Sequence, residues 1–135
     1  MTKVFVDTSF VVALVNEKDQ HHERASELAD LFDAYPLITT DAVLLEIGNA
    51  LARNFKEQAS EVIEDFLTSD EVEIVNLDEA LFQSAFELYR RHQDKSWGMT
   101  DCISFVVMRE RGIVEALTND KDFQQAGFNA LMRES

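Results

Sequence analysis

The chain has 135 residues, one cysteine, 46% hydrophobic and 28% charged residues, and a formal net charge of −14 with a pI near 4.4. That length and composition suit one folded domain with a sizeable core and exclude a disordered chain. The single cysteine excludes an internal disulfide and suits a reducing compartment, and the acidic balance argues against non-specific binding to a polyanion, which needs Lys and Arg.

Lys3 to Val6 reads as a short apolar strand, followed at once by Asp7 and an apolar helix from Thr8 to Val15. The spacing of Ala25, Leu28, Ala29 and Phe32 predicts a helix over 21–32. After Pro36, residues 37–39 read as a strand. A helix is expected over 41–55, with Val43, Ile47, Ala50 and Leu51 as its apolar stripe. Another is expected over 59–67, with Val62, Ile63, Phe66 and Leu67 on one face. Residues 71–75 alternate like a strand, 80–91 and 101–111 read as helices, 114–118 as a strand, and 129–132 as a last short strand. There is one Pro, there are four Gly, and there is no repeat, so a single domain over 1–135 is expected. Nothing at the N-terminus has the pattern of a signal peptide, and no apolar run is long enough to span a bilayer, so the expected location is the cytoplasm. Strands alternating with helices favour an α/β sandwich with a mainly parallel sheet. In such sheets, ligands gather beyond the carboxyl ends of the strands.

That rule singles out carboxylates at strand ends and helix starts. Asp7 directly follows the first strand, where Asp is also a preferred helix cap. Asp101, in SWGMTDCISF, opens a strongly apolar helix, where the helix dipole alone would favour an acid. Asp120 and Asp122, in LTNDKDF, follow the strand that ends at Thr118, where Asn and Asp are ordinary turn residues. Glu46 flanks the apolar stripe of the 41–55 helix, as a surface Glu commonly does. Thr40 and Asp41 read as caps of that helix. Each residue taken singly has this structural explanation. Taken together, four carboxylates converging on one pocket could not all stay ionised without a cation. An all-oxygen set without His or Cys suits Mg²⁺, with Mn²⁺ as the alternative. The chemistry that follows is hydrolysis of a phosphodiester.

The segments VDTSF (6–10), LLEIGNAL (44–51), TDCISF (100–105) and LTNDKDF followed by AGF (117–128) resemble the PIN-domain nucleases, in particular the VapC-like toxins of toxin–antitoxin pairs. The resemblance covers essentially the whole chain. It implies a three-layer α/β/α sandwich whose mainly parallel central sheet has about four or five strands. It also implies a metal-dependent endoribonuclease with the acidic set Asp7, Glu46, Asp101 and Asp120 as catalytic residues and metal ligands. Thr8, Ser9 and Thr118 would support the site by hydrogen bonds, and Asp122 would assist or replace Asp120. The implied partners are an RNA substrate, a cognate antitoxin and a second copy of the chain in a homodimer, with no membrane.

Cationic contacts for RNA would come from Arg53 with Lys56, Arg90 with Arg91 and Lys95, or Arg109 with Arg111. Trp97 and Phe105 are candidates for stacking on a base or for the core. His21 and His22 read as the start of a surface helix, and Cys102 as a small core residue. Two other readings stand beside the nuclease. A receiver-like phosphoacceptor domain also gathers Asp and Mg²⁺ at strand ends, but needs a Lys at the end of a late strand, whereas Lys121 comes after Asp120. A catalytically inactive scaffold of the same fold would not need the acidic set.

Overall fold

The sheet is built outward from β1 (Val4–Val6), three fully buried residues, Val-Phe-Val. In this computed structural model, which describes residues 2–133, four further strands follow. They are β2 (Leu37–Thr40), β3 (Val72–Val75), β4 (Glu115–Leu117) and β5 (Asn129–Ala130). Their order is β3-β2-β1-β4-β5, and every pairing is parallel. The mainly parallel sheet expected from the sequence is thus parallel throughout. Short strands of β-branched and aromatic residues covered on both faces are what such a sheet requires.

Among the described residues seven α-helices form the outer layers: α1 (Thr8–Val15), α2 (His22–Leu31), α3 (Asp41–Leu51), α4 (Lys56–Thr68), α5 (Glu79–Arg91), α6 (Met99–Arg111) and α7 (Lys121–Gln125). The result is a three-layer α/β/α sandwich. α1 packs on α2 and α3, and α3 on α4, while α5 packs on α6. Phe105 of α6 lies at the centre of an aromatic cluster with Trp97, Phe123 and Phe128, the ring centroids 5.0–5.6 Å apart. Burying each such ring stabilises the fold by about 1.5–3 kcal/mol.

The structure departs from the expected elements in four places. The helix expected over 41–55 ends at Leu51, and a new one starts at Lys56, because the chain turns through residues 52–54, where Asn54 suits a turn. Ala50 is exposed, and the buried face of α3 is Ala42, Val43, Leu44, Ile47 and Leu51. α6 begins two residues before Asp101, at Met99, with Gly98 as its N-cap. The strand expected over 129–132 is a two-residue strand followed by a 3₁₀ turn, Leu131–Arg133. α7 was not legible, since five residues show no helical period. It exists because Asp120 caps it and Gly127, at φ +99°, ends it.

β1 and β4 are neighbours in the sheet, yet the chain leaves β1 toward β2 on one side and reaches β5 beyond β4 on the other. Their carboxyl ends therefore flank the point where the winding reverses, which is where an open parallel sheet offers a crevice.

Candidate active site

The register Val6↔Leu117 sets Asp7 beside Thr118. The Asp7 amide donates to the Leu117 carbonyl at 3.1 Å, which extends the ladder one step past both strands. Asp7 is 6% exposed. Its Oδ2 accepts from Thr118 Oγ1 at 2.7 Å, from Ser9 Oγ at 3.0 Å and from the Ser9 amide at 3.4 Å. The Asn119 amide donates to Ser9 Oγ at 3.1 Å, and the Asp120 amide to Thr118 Oγ1 at 3.0 Å. Two hydroxyls thus bind the end of β1 to the end of β4. Asp7 caps α1 with one oxygen and presents the other elsewhere.

The same division recurs in the neighbouring acids. Asp101, in the first turn of α6, accepts from the Gly98 amide through Oδ2 at 3.3 Å. Asp120 caps α7 by accepting from the Asp122 amide through Oδ1 at 2.9 Å. Among the described residues the second oxygen of Asp7, of Asp101 and of Asp120 takes no hydrogen bond. Capping therefore fixes the three side chains without using up their charge.

Asp101, Asp120 and Asp122 each offer a carboxylate oxygen within a group whose members all lie within 4.8 Å of one another. Asp122 is 8% exposed, and its Oδ1 is buried with no hydrogen-bond partner. The sequence reading gave Asp122 a supporting place only, and the structure brings it into the acidic cluster itself. Asp7 stands beside that group, close enough for its charge to act on Asp101. Glu46 stands apart. It is exposed, accepts from Thr8 Oγ1 at 2.9 Å, and is thereby tethered one residue from Asp7. Ser9 and Thr118 hydrogen-bond Asp7, and Thr8 hydrogen-bonds Glu46. The Gly98 amide that holds Asp101 was missed, and its signal was the glycine directly before an apolar helix.

Among the described residues no ion pair reaches Asp7, Asp101, Asp120 or Asp122. The electrostatic result follows. Asp101 is pushed up to about 7 by burial first, then by the charges of Asp120 and Asp7, with the Gly98 amide opposing. Burial also raises Asp7, against the hydrogen bonds from Thr118 and Ser9, with Asp120 adding to the rise. Asp122 is raised by burial and by Asp120, with Lys121 offsetting part of it. Carboxylates crowded and desolvated in this way hold protons more tightly or hold a cation. The orphaned Asp122 Oδ1 and an all-carboxylate donor set fit a hard divalent ion.

The remaining candidates have structural places. Cys102 is buried with its thiol pushed up to about 11 by that burial, so it is no nucleophile. His22 Nδ1 meets the Ala13 carbonyl at 2.8 Å and ties α2 to α1. Phe105 is fully buried, and Trp97, 6% exposed, donates from Nε1 to Gln125 Oε1 at 3.2 Å. β4 leads into the buried Thr118, and Lys121 is exposed beyond the acid, so the lysine a phosphoacceptor site needs at the strand end is not there. Among the described residues no helix is long and apolar enough to cross a membrane.

A family model, the PIN domain, matches residues 4–129. The chain is 34% identical over 127 residues to the 23S rRNA-specific endonuclease VapC20 of Mycobacterium tuberculosis, across 93% of this chain and 95% of that protein. It is 26% identical over 138 residues to the ribonuclease VapC1 of Aquifex aeolicus, across 98% of this chain and 91% of that one. The crystal structure of Mycobacterium tuberculosis VapC20, described as a sarcin-ricin loop cleaving toxin, matches with a TM-score of 0.85 and 32% identity, over 95% of this chain and 98% of that chain.

Proposed function

The chain belongs to the PIN-domain family, and from that premise we propose that it is a divalent-metal-dependent endoribonuclease acting as the toxin of a toxin–antitoxin pair. The observation that carries this reading is the group of Asp101, Asp120 and Asp122 beside Asp7, crowded, without an ion-pair partner among the described residues and rich in unused oxygens. Residues 1–135 are taken as one nuclease domain working in the cytoplasm.

Asp101, Asp120, Asp122 and Asp7 would hold Mg²⁺ or Mn²⁺, with Glu46 reaching the ion through water from its tether on Thr8. The ion would supply a Lewis acid that acidifies an attacking water and neutralises charge on the phosphoryl oxygens. The chain's own part is positioning. Thr118 and Ser9 fix Asp7, the Gly98 amide fixes Asp101, and the Asp122 amide fixes Asp120. These hydrogen bonds hold the acids in place before substrate arrives, so little reorganisation is left for the reaction. One carboxylate of the cluster would orient the attacking water or accept its proton.

The relatives' activities make 23S rRNA the first substrate to test. The chain, wild type and Asp7→Asn and Asp120→Asn, would be incubated with ribosomes and with total RNA in Mg²⁺, Mn²⁺ or EDTA, and cleavage mapped by primer extension. Discrete cleavage by the wild type that needs metal and fails in both variants is the expected result. Metal-independent cleavage, or equal cleavage by all three proteins, would sink the reading.

A cognate antitoxin and a homodimer complete the proposal. A groove of about 230 Å³ lined by Phe10, Leu14, Phe32, Val62 and Phe66 supports an apolar partner segment. Co-purification of a small protein and sedimentation of the isolated chain test the two partners separately.

A further inference from the structure

A second concave feature shares a wall with the acidic site. Between the last turn of α5 and the first residues of α6 lies a cleft of about 400 Å³, lined by Tyr89, His92, Lys95, Trp97 and Gly98 among others. Gly98 is the residue whose amide holds Asp101, so the cleft and the acids meet at the start of α6. Tyr89 is 44% exposed, although large apolar rings are ordinarily covered. The His92 and Trp97 rings lie 4.9 Å apart, tilted at 42°, and form a second aromatic wall. Trp97 is held in place from behind by Phe105 and by its bond to Gln125.

The charge of this stretch is opposite to that of the chain. Residues 87–99 carry Arg90, Arg91 and Lys95 against Glu87 and Asp94, a net +1 where the whole chain is −14; both arginines pair with Glu87 and Lys95 with Asp94, all in exposed or part-exposed ion pairs. Aromatic faces together with cations are the chemistry by which proteins hold single-stranded nucleic acid: the bases stack and the backbone meets positive charge.

We propose that this cleft is a base-binding subsite, which takes the nucleobase of a nucleotide adjacent to the phosphate held at the acidic cluster. Tyr89 supplies the stacking face, His92, packed on the buried Trp97, a second aromatic surface, and Lys95 the contact to the backbone. The inference rests on the nuclease reading for its substrate. It gives so acidic a chain a surface beside the acidic cluster with which to approach RNA.

Trp97 is the only tryptophan, so its fluorescence reports on this cleft directly. Single-stranded pentaadenylate would be mixed with the protein and Mg²⁺ in a stopped-flow instrument, and the emission read before turnover. The expected result is saturable quenching that an abasic oligonucleotide of equal length and charge does not produce. Tyr89→Ala should weaken the apparent affinity about ten-fold, on the scale of one lost base–aromatic stack, and Tyr89→Phe should restore it. The same Ala variant should raise the KM for RNA cleavage by a larger factor than it lowers kcat. Equal quenching by the abasic oligonucleotide, or no effect of Tyr89→Ala, would overturn the subsite. So would a shift from dimer to monomer on sedimentation of Tyr89→Ala, since a second copy would then be the occupant. Metal-dependent cleavage with no fluorescence change would defeat the subsite alone. Base-dependent quenching without cleavage would defeat the nuclease reading alone.

Discussion

α6 joins two carboxylate environments that obey opposite rules. At its C-terminal end, Arg111 and, from before β1, Lys3 both pair with Glu73 of β3, and the Glu73 carboxyl is lowered chiefly by the Lys3 contact. Toward its N-terminal end, roughly 15 Å from Arg111 along ten residues at ~1.5 Å each, Asp101 has no ion-pair partner and is raised to about 7. The first carboxylate has its charge answered by the chain. The second is one of four whose charge the chain leaves unanswered, while it fixes three of them with neutral N–H and O–H donors. A fold that selects only for stability would not group buried acids so. The unanswered end is the one to which the proposed function assigns a divalent cation and an RNA phosphate.

The sharpest way to break this contrast is to remove one acid at the unanswered end. Asp7→Asn, Asp101→Asn and Asp120→Asn should each lower metal-dependent RNA cleavage by about 10²–10³-fold, the scale of losing one preorganised electrostatic partner. Asp122→Asn, compared with Asp120→Asn in the same assay, would show whether the buried Asp122 Oδ1 matters as much as the position of its neighbour. A variant series in which only Glu46 affected cleavage would dissolve the contrast.

The second test is of stability in EDTA. Unfolded, Asp101 titrates near 3.8, and folded near 7. Between those values the folded chain binds the extra proton. Stability is therefore greatest below about pH 4 for this group and falls as pH rises toward 7. Asp101→Asn removes that loss. It should stabilise the metal-free protein at pH 8 by about 2–4 kcal/mol, with the gain vanishing near pH 4, as read from urea unfolding at both values. Added Mg²⁺ should stabilise the wild type more at pH 8 than at pH 5, because the ion competes with those protons. A gain from Asp101→Asn that did not depend on pH would mean that repulsion is not its source.

Thr118→Val tests the neutral donors. It deletes the 2.7 Å bond to Asp7 and the acceptor of the Asp120 amide in a fully buried position. A cost of about 1–3 kcal/mol in stability is expected, together with a loss of cleavage that Thr118→Ser largely recovers. The smallest effect belongs to the answered end. Glu73→Gln should change stability by no more than about 1 kcal/mol, since the pair is partly exposed, and should leave RNA cleavage unchanged. A large effect on cleavage there would show that the two ends of α6 are coupled.

Much of this site was legible in the residue order. Asp7, Asp101 and Asp120 stand where apolar strands and helices begin or end, and that pattern needs no coordinates. Asp122 was read as an accessory because α7, five residues long, has no period to betray which of its side chains turns inward. Glu46 was grouped with the others, and the structure sets it on the exposed flank of α3, joined to them only through Thr8. The end of α3 was overrun because Phe55 continues the apolar pattern of Leu51 past the turn that separates two helices.

Local patterns of hydrophobicity and capping determined, by themselves, that the chain alternates strands with helices in a parallel α/β layer, and where its acids fall along the chain. These are short-range properties, fixed by period and by the first turn of each helix. Which acids meet was decided only by the tertiary structure. The order β3-β2-β1-β4-β5 sets residues 7 and 118 side by side across more than a hundred positions, and α6 and α7 then bring Asp101, Asp120 and Asp122 together. Strand order comes from long-range packing, and burial and charge repulsion act only once that packing is made.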